Sequence, residues 1–158
     1  MLVHVGLIYS DGDVSICLPS WEAIRRGPKL PDVGVGERLV PALECIDFYD
    51  FFIYWGDKHI GQIVLRDVDW HAGEAEVGYI LFEPHDRGRG IGTKALTLLQ
   101  KFVIEYIRLT RVMAVTSSDN MASQRIAQKC CFIHTETLRE DPTKLVFQWN
   151  VPSTRTGE

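Results

Sequence analysis

Residues 87–92 read Arg-Gly-Arg-Gly-Ile-Gly and stand between an apolar strand-like run and an amphipathic helical one. The run before them is Val77-Gly78-Tyr79-Ile80-Leu81-Phe82. After them Ile91, Ala95, Leu98, Leu99, Phe102, Val103 and Tyr106 recur at helical spacing. A strand, a glycine turn and a helix in that order leave few possible folds, because the turn must carry the chain off a sheet edge and straight into a helix packed on that sheet. Glycines there let the backbone come close to a ligand with no Cβ in the way. The first amides of a helix lack internal partners, and the helix dipole adds positive potential. With Arg87 and Arg89 flanking, the segment is chemically an anion cradle, suited to phosphate or pyrophosphate. Two other readings stay open on the residues alone: a glycine turn that only brings a helix close to a sheet, and pairing of the arginines with Glu83 and Asp86.

Spacing excludes two common phosphate loops. The nucleotide-triphosphate loop ends in Gly-Lys-Ser/Thr, whereas here Gly92-Thr93-Lys94 follows. The dinucleotide fingerprint is Gly-x-Gly-x-x-Gly, whereas Gly88, Gly90 and Gly92 alternate.

Downstream come Asn120-Met121-Ala122-Ser123, Arg125-Ile126 and Lys129-Cys130-Cys131-Phe132. Together with the Arg-x-x-Gly-x-Gly turn, these make the stretch from Glu74 to Phe147 resemble the GNAT superfamily of N-acetyltransferases. The resemblance is to the branch of ribosomal-protein alanine and polyamine acetyltransferases. It implies an α+β fold in three layers: a mixed, mostly antiparallel sheet of about seven strands, splayed at its middle and flanked by helices. It implies acetyl-CoA as co-substrate, a primary amine as acceptor, and direct transfer without a covalent enzyme intermediate. A coenzyme-binding module without turnover is the alternative. By position the pyrophosphate falls to Arg87, Gly88, Arg89, Gly90, Ile91, Gly92 and Thr93. Leu81, Phe82, Asn120 and Ser123 join them along the coenzyme's arm. No metal is implied. The closing strand pair joins subunits in similar proteins, so a homodimer is one arrangement the resemblance allows.

Two positions depart from the family pattern. The tyrosine that protonates the leaving thiolate in many members is Ala127 here, and a usual glycine is Cys131. The general acid then passes to Ser123, Tyr79 or water. For the base, Glu76 lies on the strand that feeds the glycine turn; strand alternation puts Glu76, Gly78 and Ile80 on one face and Val77, Tyr79 and Leu81 on the other. An exposed strand-end glutamate is the other reading of Glu76. The site must lower the pKa of the amine or supply a general base, because an amine of lysine-like pKa, about 10.4, is free base in only about one molecule in a thousand at neutral pH. In the family, the N-terminal helices, their loop and the last strands form the acceptor pocket. Glu44, Asp47 and Asp50, with Tyr49 and Trp55, would suit a cationic amine, or form an ordinary helix surface.

The chain has 158 residues, 46% hydrophobic and 24% charged, enough for one domain with a substantial core. A net charge of −4 argues against general nucleic-acid binding. The four cysteines show no Cys-x-x-Cys spacing, which fits a reduced, cytoplasmic setting. No apolar run reaches the ~18 residues of a membrane span, and no basic leader marks a signal peptide.

Element by element, strands are expected over Leu2–Tyr9 and Val14–Leu18 about an Asp11-Gly12 turn, then over Phe51–Trp55, Ile60–Arg66 and Glu74–Phe82. A helix over Gly90–Arg108, a strand over Arg111–Thr116 and a helix over Met121–Lys129 follow. Phe132–Leu138 and Leu145–Val151 close the sheet. Short helices are expected over Trp21–Arg26, capped by Ser20, and over Pro41–Tyr49, with a loop or lid over 27–41 between them. Pro152–Glu158 reads as a frayed tail.

Overall fold

The computed structural model describes residues 8–18, 49–107 and 109–153. The expected helix over Trp21–Arg26, the loop over 27–41, most of the Pro41–Tyr49 helix and most of the tail lie outside these residues, as do Glu44, Cys45 and Asp47. One sheet of eight strands organises the rest. The strands are β1 (Ile8–Asp11), β2 (Val14–Cys17), β3 (Tyr49–Trp55), β4 (Lys58–Asp69), β5 (Glu74–Leu81), β6 (Arg111–Ser117), β7 (Ile133–Thr137) and β8 (Lys144–Asn150). Their spatial order is β1-β2-β3-β4-β5-β6-β8-β7. Eight segments each carry strand signals of their own, so the sheet exceeds by one the size implied by resemblance.

Every neighbouring pair is antiparallel except β5 and β6, which are parallel and joined through α1 (Ile91–Tyr106). The parallel pairing is short. Glu74–Val77 face Arg111–Ala114, and there it stops. Beyond Val77, β5 pairs only with β4, and beyond Ala114, β6 pairs only with β8. The sheet therefore parts between its fifth and sixth strands, as the resemblance implied.

The alternation expected on β5 holds: Ala75 and Val77 are buried in the core, and Tyr79 and Leu81 pack against it. The same face carries α1, whose Ile91, Ala95, Leu96, Leu98, Leu99, Phe102 and Val103 are buried. Burying each large apolar side chain contributes about 1.5–3 kcal/mol, so this helix is held by its stripe far more than by propensity. Phe102 meets the rings of Tyr9, Tyr49 and Phe51 edge-on, with centroids 6.3, 5.2 and 4.9 Å away. Tyr106, expected on the stripe, is instead 62% exposed and stacks on Phe102 from outside. The second helix, α2 (Met121–Lys129), packs on α1 from the same side of the sheet. The described residues thus form two layers.

Several element ends shift. Tyr49 and Asp50 belong to β3, not to a helix, because they pair with Leu65 and Val64 of β4 and Tyr49 packs on Phe102. β4 runs through a register shift between Arg66 and Asp69. Gly90 is the left-handed cap of α1, not its first residue.

Candidate active site

A cleft of about 360 Å³ opens where β5 and β6 part. From β4 it takes Gln62, Val64 and Arg66; from β5, Val77, Gly78, Tyr79 and Ile80. The far wall is Ala114, Val115, Thr116 and Ser117 of β6 with Lys144 of β8, and Asn120 and Ser123 close it at the start of α2. The cleft thus reaches both sheet faces. Backbone groups of β5 and β6 that would have paired with each other face this gap instead.

The glycine turn follows directly from the open end of β5. A 3-10 turn over Pro84–Asp86 carries the chain to Arg87. Gly88 and Gly90 take φ of +76° and +80°, which L side chains rarely adopt, and a Cβ on either would meet nothing within 4 Å. Their need for glycine is conformational, and the space beside them is open. Gly92 differs. A Cβ there would lie 2.9 Å from Ile126 Cδ1, so its bareness serves the approach of α2 to α1.

Neither arginine pairs with a carboxylate among the described residues. Arg87 Nη2 donates to the Leu81 carbonyl at 3.4 Å, and Arg89 lies over the Trp55 ring at 5.1 Å. Asp86 is buried and lies 3.5 Å from His85 Nε2. The arrangement in which Glu83 and Asp86 neutralise the arginines is not adopted. Both arginines are exposed and immediately precede the first turn of α1, where the amides of Ile91, Gly92 and Thr93 have no acceptor within the helix.

Of the other candidates, Asn120, Ser123 and Tyr79 line the cleft, and Glu76, Leu81 and Phe82 do not. Asn120 caps α2, its Oδ1 accepting the Ser123 N–H at 3.1 Å. Tyr79 reaches from β5 to Ser123: its hydroxyl lies 3.0 Å from Ser123 Oγ and 3.2 Å from the Ser123 carbonyl. Burial pushes the Tyr79 phenol above its ordinary pKa, with the Ser123 contact opposing. Ala127 is buried on the core side of α2 and faces no part of the cleft. The Phe82 N–H is engaged by the Ile60 carbonyl at 2.9 Å, so a ligand could use only its carbonyl and ring.

Glu76 lies on the opposite face from Tyr79, and Arg66 Nη2 donates to its Oε1 at 3.0 Å. Arg66 also packs over Gly78, where a Cβ would sit 3.4 Å from the guanidinium. Residue patterns pointed to none of Gln62, Arg66, Ser117 and Lys144 as site residues. Lys144 Nζ donates to Ser117 Oγ at 2.9 Å across the mouth of the cleft. Gln62 did carry a signal: one amide inside the apolar run Ile60–Leu65.

Among the described residues no cluster of three or more His, Cys, Asp or Glu could hold a metal ion, and no helix is long and apolar enough to cross a membrane.

A mixed sheet parted between two parallel strands, with a glycine-arginine turn at its open end, is an architecture shared with acyl-coenzyme A-dependent transferases. The profile of the Acetyltransferase (GNAT) domain matches residues 37–133, more than half of the sequence, and the chain belongs to that family. It is 30% identical over 110 residues to the probable N-acetyltransferase YjcK of Bacillus subtilis (strain 168), a match over 68% of this chain and 60% of that protein. The chain therefore spans about three-fifths of the length of that relative. Its fold is that of RimL, a ribosomal L7/L12 alpha-N-protein acetyltransferase, at TM-score 0.76 and 12% identity over 94% of this chain and 96% of the other. It is also that of the Vibrio cholerae spermidine N-acetyltransferase solved with CoA and spermine, at TM-score 0.70 and 12% identity over 87% and 94%.

Proposed function

We propose that this chain moves an acetyl group from acetyl-CoA to a primary amine, a small polycation or a protein N-terminus, in one direct transfer. The observation that carries this reading is the continuity of the turn over 87–93 with the gap between β5 and β6. A diphosphate on the turn leaves its attached arm running into the gap, where unpaired strand edges can meet the amides of the arm as another strand would. In this reading Arg87, Gly88, Arg89, Gly90, Ile91, Gly92 and Thr93 hold the diphosphate. Leu81, Phe82, Asn120 and Ser123 line the arm.

The amine nitrogen attacks the thioester carbonyl carbon; the N–C bond forms and the C–S bond breaks. A backbone N–H of the parted β5 edge steadies the oxyanion. Glu76, on the face away from α1 and α2, takes the proton that the nitrogen loses, with Arg66 fixing its orientation. The thiolate leaves on the Tyr79 side. A phenol pushed above its ordinary range does not give its proton to a thiolate of pKa near ~8.5. Tyr79, braced by Ser123, therefore donates a hydrogen bond to the departing sulfur, and solvent supplies the proton. This gives the cleft an acid-side group although position 127 is alanine. Such chemistry suits a cytoplasmic setting, where acetyl-CoA is made.

Purified protein with acetyl-CoA and spermidine, a short alanine peptide or kanamycin tests the reading through free thiol and acetylated amine, the latter by mass. Release with one of these amines supports it; binding of acetyl-CoA without release makes the chain a coenzyme-binding module. Gly90→Glu puts a carboxylate in the cradle and should abolish acetyl-CoA binding by calorimetry, and undiminished affinity would overturn the placement. Glu76→Gln should lower kcat by about a hundredfold with acetyl-CoA affinity kept. An unchanged rate removes Glu76 as base.

A further inference from the structure

Asp50 of β3 and Gln62 of β4 lie beside the cleft, and the transfer described above uses neither. Asp50 is 0% and Gln62 2% exposed. Gln62 Nε2 donates to both carboxylate oxygens of Asp50, at 3.4 and 3.3 Å. No cation pairs with Asp50 among the described residues. The other amide atom, Gln62 Oε1, is buried and has no partner, and Gln62 lines the cleft. Its neighbours across the ladder, Phe52 and Ile80, are apolar.

This pair is unfavourable as architecture. A buried acceptor without a donor leaves its desolvation uncompensated, and a buried carboxyl without a cation does so more severely. Burial pushes the Asp50 carboxyl up to about 8, against the opposing hydrogen bond from Gln62. An apolar pair would fill the same place at less cost. Such a defect beside a cleft is accounted for when something entering the cleft completes it. The missing group is a hydrogen-bond donor, and the class of substrate already assigned to the cleft is an N–H donor. Asp50 fixes which way the amide points: its two oxygens both take the NH2 end of Gln62, which turns the amide oxygen outward.

We propose that Gln62 Oε1 accepts an N–H of the acceptor amine and so aims its lone pair at the thioester, with Asp50 as the residue that positions Gln62. The inference rests on the acetyl-transfer reading and adds to it the atom that meets the amine.

Gln62→Met keeps length and volume but removes the acceptor. With whichever of spermidine or the alanine peptide the wild type acetylates, KM for the amine should rise about tenfold or more, while the dissociation constant of acetyl-CoA stays within about twofold. The double variant Gln62→Met with Asp50→Asn should match the single one, because Asp50 acts only through Gln62. It also removes the carboxyl that Gln62→Met strands, so it carries the test if the single variant does not fold. Asp50→Asn alone should raise the amine KM less than Gln62→Met does, since an asparagine holds the amide in two orientations. An unchanged amine KM in active Gln62→Met protein, or an equal loss of acetyl-CoA affinity, overturns the proposal and leaves the acetyl-transfer reading standing. A wild type that acetylates none of the amines overturns both.

Discussion

Cys131 holds a backbone position that suits glycine. It lies just past α2 with φ of +67°, in the left-handed region. Around it the Phe132 N–H reaches the Ala127 carbonyl at 2.9 Å and the Cys131 N–H reaches that of Gln128 at 3.1 Å, the paired bonds of a Schellman cap. Phe132 and Ala127 are both buried, as the hydrophobic half of that cap requires. A side chain in this conformation costs about 1–2 kcal/mol, and glycine's greater freedom in the unfolded chain takes back about 0.5–1. Cys131→Gly should therefore raise stability by about 0.5–1 kcal/mol in denaturant titrations, and Cys131→Ala should leave it nearly unchanged. A destabilised glycine variant would mean that the exposed thiol contributes something to the fold that its contacts do not show. Position 131 stood out in the residues as a departure from the family pattern; that the turn survives it was not legible, because the bonds that hold it come from α2 and the core behind Phe132. Gln62 shows the converse. Its amide sits in an apolar run, which residue patterns did not single out, and its unpaired oxygen depends on Asp50, twelve residues back on another strand.

Among the elements, α1 shows why three alternating glycines are not three copies of one requirement. Gly88 and Gly90 answer to φ, and Gly92 to α2. Alanine at 92 gains helix propensity worth about 1 kcal/mol but must turn Ile126 aside, at about 0.5–1.5 kcal/mol for an off-rotamer side chain. Gly92→Ala should therefore be close to neutral in the native background and stabilising by about 1 kcal/mol in an Ile126→Ala background. Thermal melts of the four proteins of that cycle give the coupling; equal effects in both backgrounds would show that the two helices do not meet there. Helix and strand cores were legible from period alone, since α2 spans Met121–Lys129 as its pattern indicates and β5 starts at Glu74. The parting of β5 from β6 was not. A period of two says which face a side chain takes, never which neighbour the strand keeps, and the break after Val77 depends on a partner more than thirty residues away. The resemblance supplied that feature.

Across the molecule, the buried carboxyl at the head of β3 makes stability depend on pH in an uncommon direction. Most carboxylates favour the fold as pH rises, because pairing lowers their pKa. Asp50 does the reverse: its folded pKa is about 8 against an ordinary 3.8, so the fold holds its proton more tightly than the unfolded chain does. Its contribution is full below pH about 4 and declines as pH rises, until it is lost above about 8. His59 acts from the other side. Sandwiched against Phe52 and Tyr54, with Nε2 donating to the Gly61 carbonyl at 3.0 Å, it is pushed by burial below its ordinary value. Neutral in the fold, it loses stability for the chain as pH falls below about 6.5. Between about pH 7 and 8 His59 is mostly neutral in both states, and the slope belongs to Asp50. Asp50→Asn keeps an acceptor for Gln62 and removes the proton. Its melting temperature should stay level over that window while the wild type's falls, so that the variant gains on the wild type with each step towards pH 8. Parallel curves would mean that Asp50 is ionised within the folded sheet at neutral pH, and a cation would then have to reach it from the acceptor side.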